Sequence, residues 1–432
     1  LTLSTTPALD GDRLQPRHLV LRTYLAAQDD SFVMMPGGLT RFSASADTMV
    51  VSMQRGGGSK DTWMLSEAPV SDVTLLQPGG QPVALNRGGN DLPSRVADNL
   101  YWLGRYAERA EALTRLLRGI FVRLTETSGL EEARELPVLL RAVTEMSLCF
   151  PGFVGDGADE RLGAPVTELQ AVIHDAERAG SLAGVLAALC RVAGTVRDRI
   201  SKDMWRVVND LVELRPLALS APTSRGPGVV RTLSSELDLL DRTVLTLAAF
   251  SGLAMESVTR GDGWRFLDIG RKLERALQLT NLLQSTLVSV TTPEIPLLEA
   301  LLEIADSSMT YRRRYQGSLQ AAAVLDLLLA DETNPRSLGF QLAALAENVE
   351  RLPRDAKFSG RSIEQRLMLA SLTTLRLAEA DVLVQADGAN QRPNLEQLLA
   401  ELKKALPALS NAITQTHLSH LQTSRHLASP TA

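Results

Sequence analysis

One short pattern occurs twice in this 432-residue chain and carries most of its ionic chemistry. Gly104-Arg105-x-x-Glu108-Arg109-Ala110 returns as Gly270-Arg271-x-x-Glu274-Arg275-Ala276, and Leu113, Thr114, Leu116 and Leu117 match Leu279, Thr280, Leu282 and Leu283 at the same offset. A guanidinium is a planar fork that binds carboxylate or phosphate through paired hydrogen bonds. If the two faces converge across a pseudo-twofold axis, Arg105, Arg109, Arg271 and Arg275 would hold an anionic group while Glu108 and Glu274 meet an amine. The same spacing also fits ion pairs between neighbouring helices that fix the register of a bundle. Asp98 and Trp102 align with Trp264 and Asp268, so Asp and Trp exchange places, and the tryptophans are expected to pack beside the arginines.

A second candidate is the run Arg55-Gly56-Gly57-Gly58-Ser59-Lys60 between two β-like stretches. Consecutive glycines let backbone amides wrap an anion, and Arg55, Ser59 and Lys60 add donors at the rim. The run lacks the GxxxxGK[ST] spacing and is not followed by a helix, so it is no Walker A loop, and a glycine-rich hairpin turn fits it equally. Asp306 to Tyr315 gathers hydroxyls and cations, Tyr311 among them, either for a phosphate or carboxylate or to complement a helix C-terminus. Asp331 to Ser337 has the capping residues of a helix start, and its Asn334 could instead face a ligand. His417 and His420 form an HxxH without a carboxylate or Cys beside them, so no metal site is expected. Cys149 and Cys190 form no CxxC, have no activating neighbour and suit a reducing, cytoplasmic setting. With no GxSxG elbow either, hydrolase chemistry is disfavoured.

These groups need long helices to position them. Hydrophobic residues make up 44% of the chain and aromatics only 4%, a balance that favours helices packed by aliphatic side chains over a β-sandwich. A formal charge of −5 offers no general attraction to nucleic acid or anionic lipid, and the longest uncharged run, Ala276 to Pro293, has too many polar groups for a membrane span. The opening residues, starting at Leu1, have neither the basic start nor the apolar run of a signal peptide, and the chain reads as truncated. Residues 1–74 read as a β-rich or α/β segment with strands near His18 to Tyr24, Ser31 to Met35, Met49 to Met53 and Thr62 to Leu65. Residues 75–91, rich in Pro and Gly, read as a linker, and residues 92–432 as a helical domain. Its expected helices are Ser94 to Thr125, Pro165 to Ala179, Ala183 to Glu213, Val229 to Val258, Gly263 to Val288, Pro296 to Tyr315, Gln316 to Leu329, Arg336 to Leu352, Ser362 to Val384 and Leu395 to Thr423. The fold class is mainly α, an internally duplicated bundle.

Two resemblances sharpen this reading. Val33 to Arg41 followed by Val51 to Trp63 resembles the end of circularly permuted ATP-grasp proteins, in which such a glycine loop closes over ATP. Leu92-Pro93-Ser94-Arg95-Val96-Ala97-Asp98-Asn99-Leu100-Tyr101-Trp102-Leu103-Gly104-Arg105-Tyr106-Ala107-Glu108-Arg109-Ala110-Glu111 resembles the opening of the alpha-E domain, a helical domain often fused to those proteins. Gly263 to Arg271, Thr310 to Tyr315 and Asp331 to Leu338 extend that similarity. The resemblance implies an ATP-dependent carboxylate–amine ligase that makes or modifies peptides, with ATP and Mg²⁺ as cofactors of the complete protein. Arg55, Gly56, Gly57, Gly58, Ser59 and Lys60 would then touch nucleotide phosphates. Arg105, Glu108, Arg109, Arg271, Glu274, Arg275, Tyr311 and Asn334 would bind a peptide or amino-acid substrate. The implied partners are the remainder of the ATP-grasp domain and, on the alternative that the helical domain is a non-catalytic scaffold, a transglutaminase-like peptidase. About 80 residues cannot hold a whole ATP-grasp fold, so this chain alone is expected to be inactive and to bind no nucleotide tightly.

Overall fold

The computed structural model describes residues 4–10, 12–28, 31–51, 57–65, 67, 92–126, 133–214, 232–353 and 360–418. The expected linker at 75–91 lies outside them, as do Arg55, Gly56, His420 and His426. The chain divides into two compact units, Leu1–Arg87 and Gly88–Ala432.

In the first unit, strands β1 (Thr5–Asp10), β2 (Arg13–Gln28), β3 (Ser31–Phe42) and β4 (Gly58–Trp63) form an antiparallel meander in that order. Thr5 pairs with His18 in β1–β2, and Gly37 pairs with Trp63 in β3–β4. Among the described residues the unit is purely β-rich. The expected strand at Met49 to Met53 is absent over Met49, Val50 and Val51, and Ser52 and Met53 lie outside the described residues. β4 starts earlier than expected, inside the glycine run, because Gly58 has no Cβ and the Phe42 ring lies where one would stand. Little of the sheet is buried. Ala8, Arg17 and Thr40 are, whereas Leu14, Leu25, Met35, Phe32 (73% exposed) and Trp63 (87% exposed) are not.

The second unit is a helical bundle. Its helices are Ser94–Glu126 (α1), Leu136–Ser147 (α2), Ala158–Gly163 (α3), Val166–His174 (α4), Leu182–Thr195 (α5), Lys202–Leu214 (α6), Leu233–Glu256 (α7), Asp262–Leu287 (α8), Ile295–Ile304 (α9), Ser308–Tyr315 (α10), Ala321–Leu325 (α11), Leu338–Glu350 (α12), Ile363–Arg376 (α13), Ala380–Leu383 (α14) and Pro393–Ile413 (α15). Side chains cap several starts. Ser181 Oγ accepts from Gly184 N, and Thr232–Ser235 and Ser362–Gln365 form reciprocal capping boxes.

Helices α1 and α8 form the centre, and both match their expected spans within a residue. Several other expected spans are corrected: the helix expected over Ser362 to Val384 breaks between Arg376 and Ala380, α4 ends at His174 rather than Ala179, and α11 starts at Ala321 rather than Gln316. Leu136–Ser147 is helical although no helix was expected there; Leu136, Leu139, Leu140, Val143 and Met146 supply its buried face. The single helix expected over Ala183 to Glu213 is two, because Ser201 accepts a hydrogen bond from Met204 N and starts a new one. The helix expected over Pro296 to Tyr315 breaks at Asp306, which adopts φ 52°, while Ser307 N reaches back to Leu302 O to close a Schellman-type end.

Candidate functional site

The two copies of the repeat meet. Leu100 faces Gly263, Gly104 faces Leu267 and Arg271, Glu108 reaches Arg271, and Glu111 reaches Arg275. Residue numbers rise together on both helices, so α1 and α8 run parallel, as a twofold axis along their length requires. Glycine makes the approach possible. A Cβ on Gly104 would collide with the Leu267 carbonyl oxygen, and one on Gly270 with that of Tyr101.

With the backbones this close, each glutamate lies within reach of the other helix's arginines. Arg105 Nε donates to Glu274 Oε2 at 2.6 Å and Arg109 Nε to Glu274 Oε1 at 2.7 Å. Across the pseudo-axis, Arg271 Nε donates to Glu108 Oε1 at 2.9 Å and Arg275 Nε to Glu108 Oε2 at 2.7 Å. Both carboxylates are buried, 3% exposed for Glu108 and 1% for Glu274. Burial alone would push the Glu274 carboxyl up; Arg105 and Arg109, aided by Gln278, bring it down to about 2, so it stays ionised. The charged face of α1 is therefore an internal seam. Arg105 also donates to Ser410 Oγ of α15 at 2.8 Å and to the Tyr101 hydroxyl at 3.3 Å. Trp102 lies beside Arg105, ring centre to guanidinium 5.2 Å, whereas Trp264 stacks on Arg260 at 4.3 Å rather than on a seam arginine. Asp268, the counterpart of Trp102, is buried and accepts from Asn348 Nδ2 at 2.8 Å.

The symmetry fails one turn further on. Glu111 and Arg115 occupy positions that are Leu277 and Asn281 in the second copy. Three guanidiniums converge on Glu111: Arg115 Nε at 2.9 Å, Arg336 Nη1 at 2.7 Å and Arg275 Nη2 at 3.2 Å. Burial raises the Glu111 pKa and Arg275, Arg336 and Arg115 lower it, with a net fall. Arg336 comes from the Asp331–Ser337 stretch, and Asp306 Oδ2 stands 3.4 Å from both Arg115 and Arg336. A cavity of about 60 Å³ lies here, between these charges and the apolar Met146, Leu279, Leu282 and Ile304. Glu111, Arg115 and Arg336 were not singled out from the sequence, although the i, i+4 spacing of Glu111 and Arg115 was a signal for the first pair.

The remaining expected site residues stand elsewhere. The Tyr311 hydroxyl donates to Ser318 O at 3.2 Å and accepts from Gln320 N at 3.1 Å, bracing the turn after α10. Asn334 is buried, donating to Leu327 O at 3.0 Å and accepting from Arg336 N at 3.1 Å, so it shapes the loop that delivers Arg336. In the other unit, Gly58, Ser59 and Lys60 belong to β4, and the Lys60 ammonium bonds the Pro7 carbonyl. Of the glycine run, Gly58, Ser59 and Lys60 are thus strand residues paired with β3, and Gly57 precedes the strand. His417 bonds Glu364 at 3.2 Å, and no metal-binding cluster occurs among the described residues.

A family model described as "a predicted alpha-helical domain with a conserved ER motif" matches residues 92–418. The chain belongs to the Alpha-E family. Glu108-Arg109 and Glu274-Arg275 are Glu-Arg pairs at the centre of its seam. Uncharacterized proteins of Mycobacterium tuberculosis (Rv2567) and Mycobacterium bovis (Mb2597) are each 31% identical over 430 residues, covering 96% of this chain and 47% of theirs. An uncharacterized protein of Synechocystis (sll0335) is 46% identical over 65 residues, 15% of this chain and 14% of its own. The chain spans about half the length of the mycobacterial relatives. No solved structure matches. Among the described residues of the Alpha-E bundle, no helix is long and apolar enough to cross a membrane.

Proposed function

We propose that the Alpha-E bundle is a non-catalytic scaffold within a longer ATP-dependent carboxylate–amine ligase, docking the ligase onto a partner such as a transglutaminase-like peptidase. The observation that carries the scaffold reading is the mutual engagement of the seam. Arg105, Arg109, Arg271 and Arg275 each hold a glutamate of the other copy, so an incoming substrate carboxylate would have to displace a buried, charge-assisted bond. The ligase half rests on the ATP-grasp-like string from Val33 to Trp63, on relatives about twice as long, and on a sheet whose apolar side chains need a cover. The earlier expectation of an anionic substrate at the seam is the competing reading.

The test compares ATP consumption by the full-length parent, supplied with pooled amino acids and peptides, with that of a version lacking residues 92–432. The scaffold reading expects turnover and selectivity to survive while partner association is lost. Loss of selectivity with the ligase domain still folded would favour the substrate-binding reading. In Arg105→Gln with Arg271→Gln, scaffolding predicts loss of folding or assembly, whereas substrate binding predicts intact assembly with weakened substrate. The present chain alone, titrated with ATP and Mg²⁺, is expected to give no measurable heat.

A further inference from the structure

The cavity beside Glu111 has a composition that the seam lacks. Its charged wall is three guanidiniums, Arg115, Arg275 and Arg336, around two buried carboxylates, Glu108 and Glu111. The third carboxylate in reach is Asp306, whose side chain is 59% exposed and stands 3.4 Å from both Arg115 and Arg336. That distance is long for a charge-assisted hydrogen bond. The lining thus carries one more guanidinium than carboxylate, and burial, together with the nearby Arg275 and Arg115, holds the Arg336 guanidinium below its usual value despite Glu111. The opposite wall is aliphatic, formed by Leu279, Leu282, Ile304 and Met146. At about 60 Å³, and with one water needing roughly 10–15 Å³, the space admits a body of about four to six heavy atoms.

We propose that this cavity binds a small aliphatic carboxylate, whose carboxyl group replaces Asp306 between Arg115 and Arg336 while its hydrocarbon lies on Leu279, Leu282 and Ile304. Asp306 is then an internal stand-in for the ligand, held at the left-handed end of α9 with its side chain largely exposed. The inference is independent of the ligase reading, since it concerns only the bundle's own cavity.

The test is calorimetric titration of the full chain at pH 7 with acetate, propionate and isobutyrate, with isobutyramide and inorganic phosphate as controls. Propionate and isobutyrate should saturate a single site, and the uncharged amide should bind at least about tenfold more weakly. Arg336→Gln should weaken isobutyrate at least about tenfold, and Ala112→Leu, which fills the cavity without touching a charge, should remove binding. Asp306→Asn should tighten isobutyrate by about threefold or more, because the internal competitor is gone. A gain in affinity cannot come from damaged folding, so this variant separates a ligand site from a structural cluster. Absence of saturable binding by the wild type, equal binding of amide and acid, tighter binding of phosphate than of isobutyrate, or weaker binding in Asp306→Asn would each overturn the proposal.

Discussion

The two arms of the Alpha-E seam descend from one repeated pattern yet end differently. The Arg105–Arg109–Glu274 arm closes on neutral groups: Gln278 donates to Glu274 at 2.9 Å, and Ser410 takes the spare donor of Arg105. The Arg271–Arg275–Glu108 arm continues into Glu111, Arg115, Arg336 and Asp306 and opens a cavity. Where two guanidiniums share one carboxylate and their remaining bonds end on neutral groups, the duplication makes a lock. Where the arm runs on to Arg115 and Arg336, flanking a largely exposed Asp306, the same scaffold leaves a cavity beside the charges.

The largest predicted effect breaks the closed arm. Glu274→Gln leaves the buried Arg105 and the partly exposed Arg109 without their carboxylate and should cost about 3–5 kcal/mol in urea unfolding. Glu108→Gln should cost clearly less, because Arg275 retains Glu111 at 3.2 Å; equal costs would show the arms to be equivalent. Next comes Gly270→Ala, whose added Cβ meets the Tyr101 carbonyl oxygen and must push the helices apart, at about 1–3 kcal/mol. Arg336→Gln should cost less, about 1 kcal/mol, since the buried Glu111 keeps Arg115 and Arg275.

The pH dependence sharpens the same comparison. Glu274 titrates at about 2 in the folded chain, below an ordinary carboxylate, so its contribution is full above about pH 4.5. It is lost as pH falls from there toward 2. Acid titration of stability should therefore show a shallower fall in Glu274→Gln than in the wild type across that window.

Much of the lock was legible in the sequence. The repeat Gly-Arg-x-x-Glu-Arg-Ala gave both central helices and their residues, because glycine at the contact and charge at i, i+3 and i+4 report directly on a close helix pair. The burial of the charged face was not legible. Helical periodicity sets Arg105 and Glu108 opposite Leu100 and Leu103, but it cannot tell a solvated face from one covered by a second charged helix. The break at Asp306 was hidden because a non-glycine residue takes the left-handed position there. The cavity depended on Arg336, 225 residues from Glu111, and only tertiary structure brings those together.

The central claim is that the Alpha-E repeat locks α1 to α8 through reciprocal buried ion pairs. A double-mutant cycle between Arg105→Gln and Glu274→Gln, read by urea unfolding, addresses it most directly. A coupling of about 1.5–3 kcal/mol is the predicted result; additive costs, with coupling indistinguishable from zero, would contradict the lock.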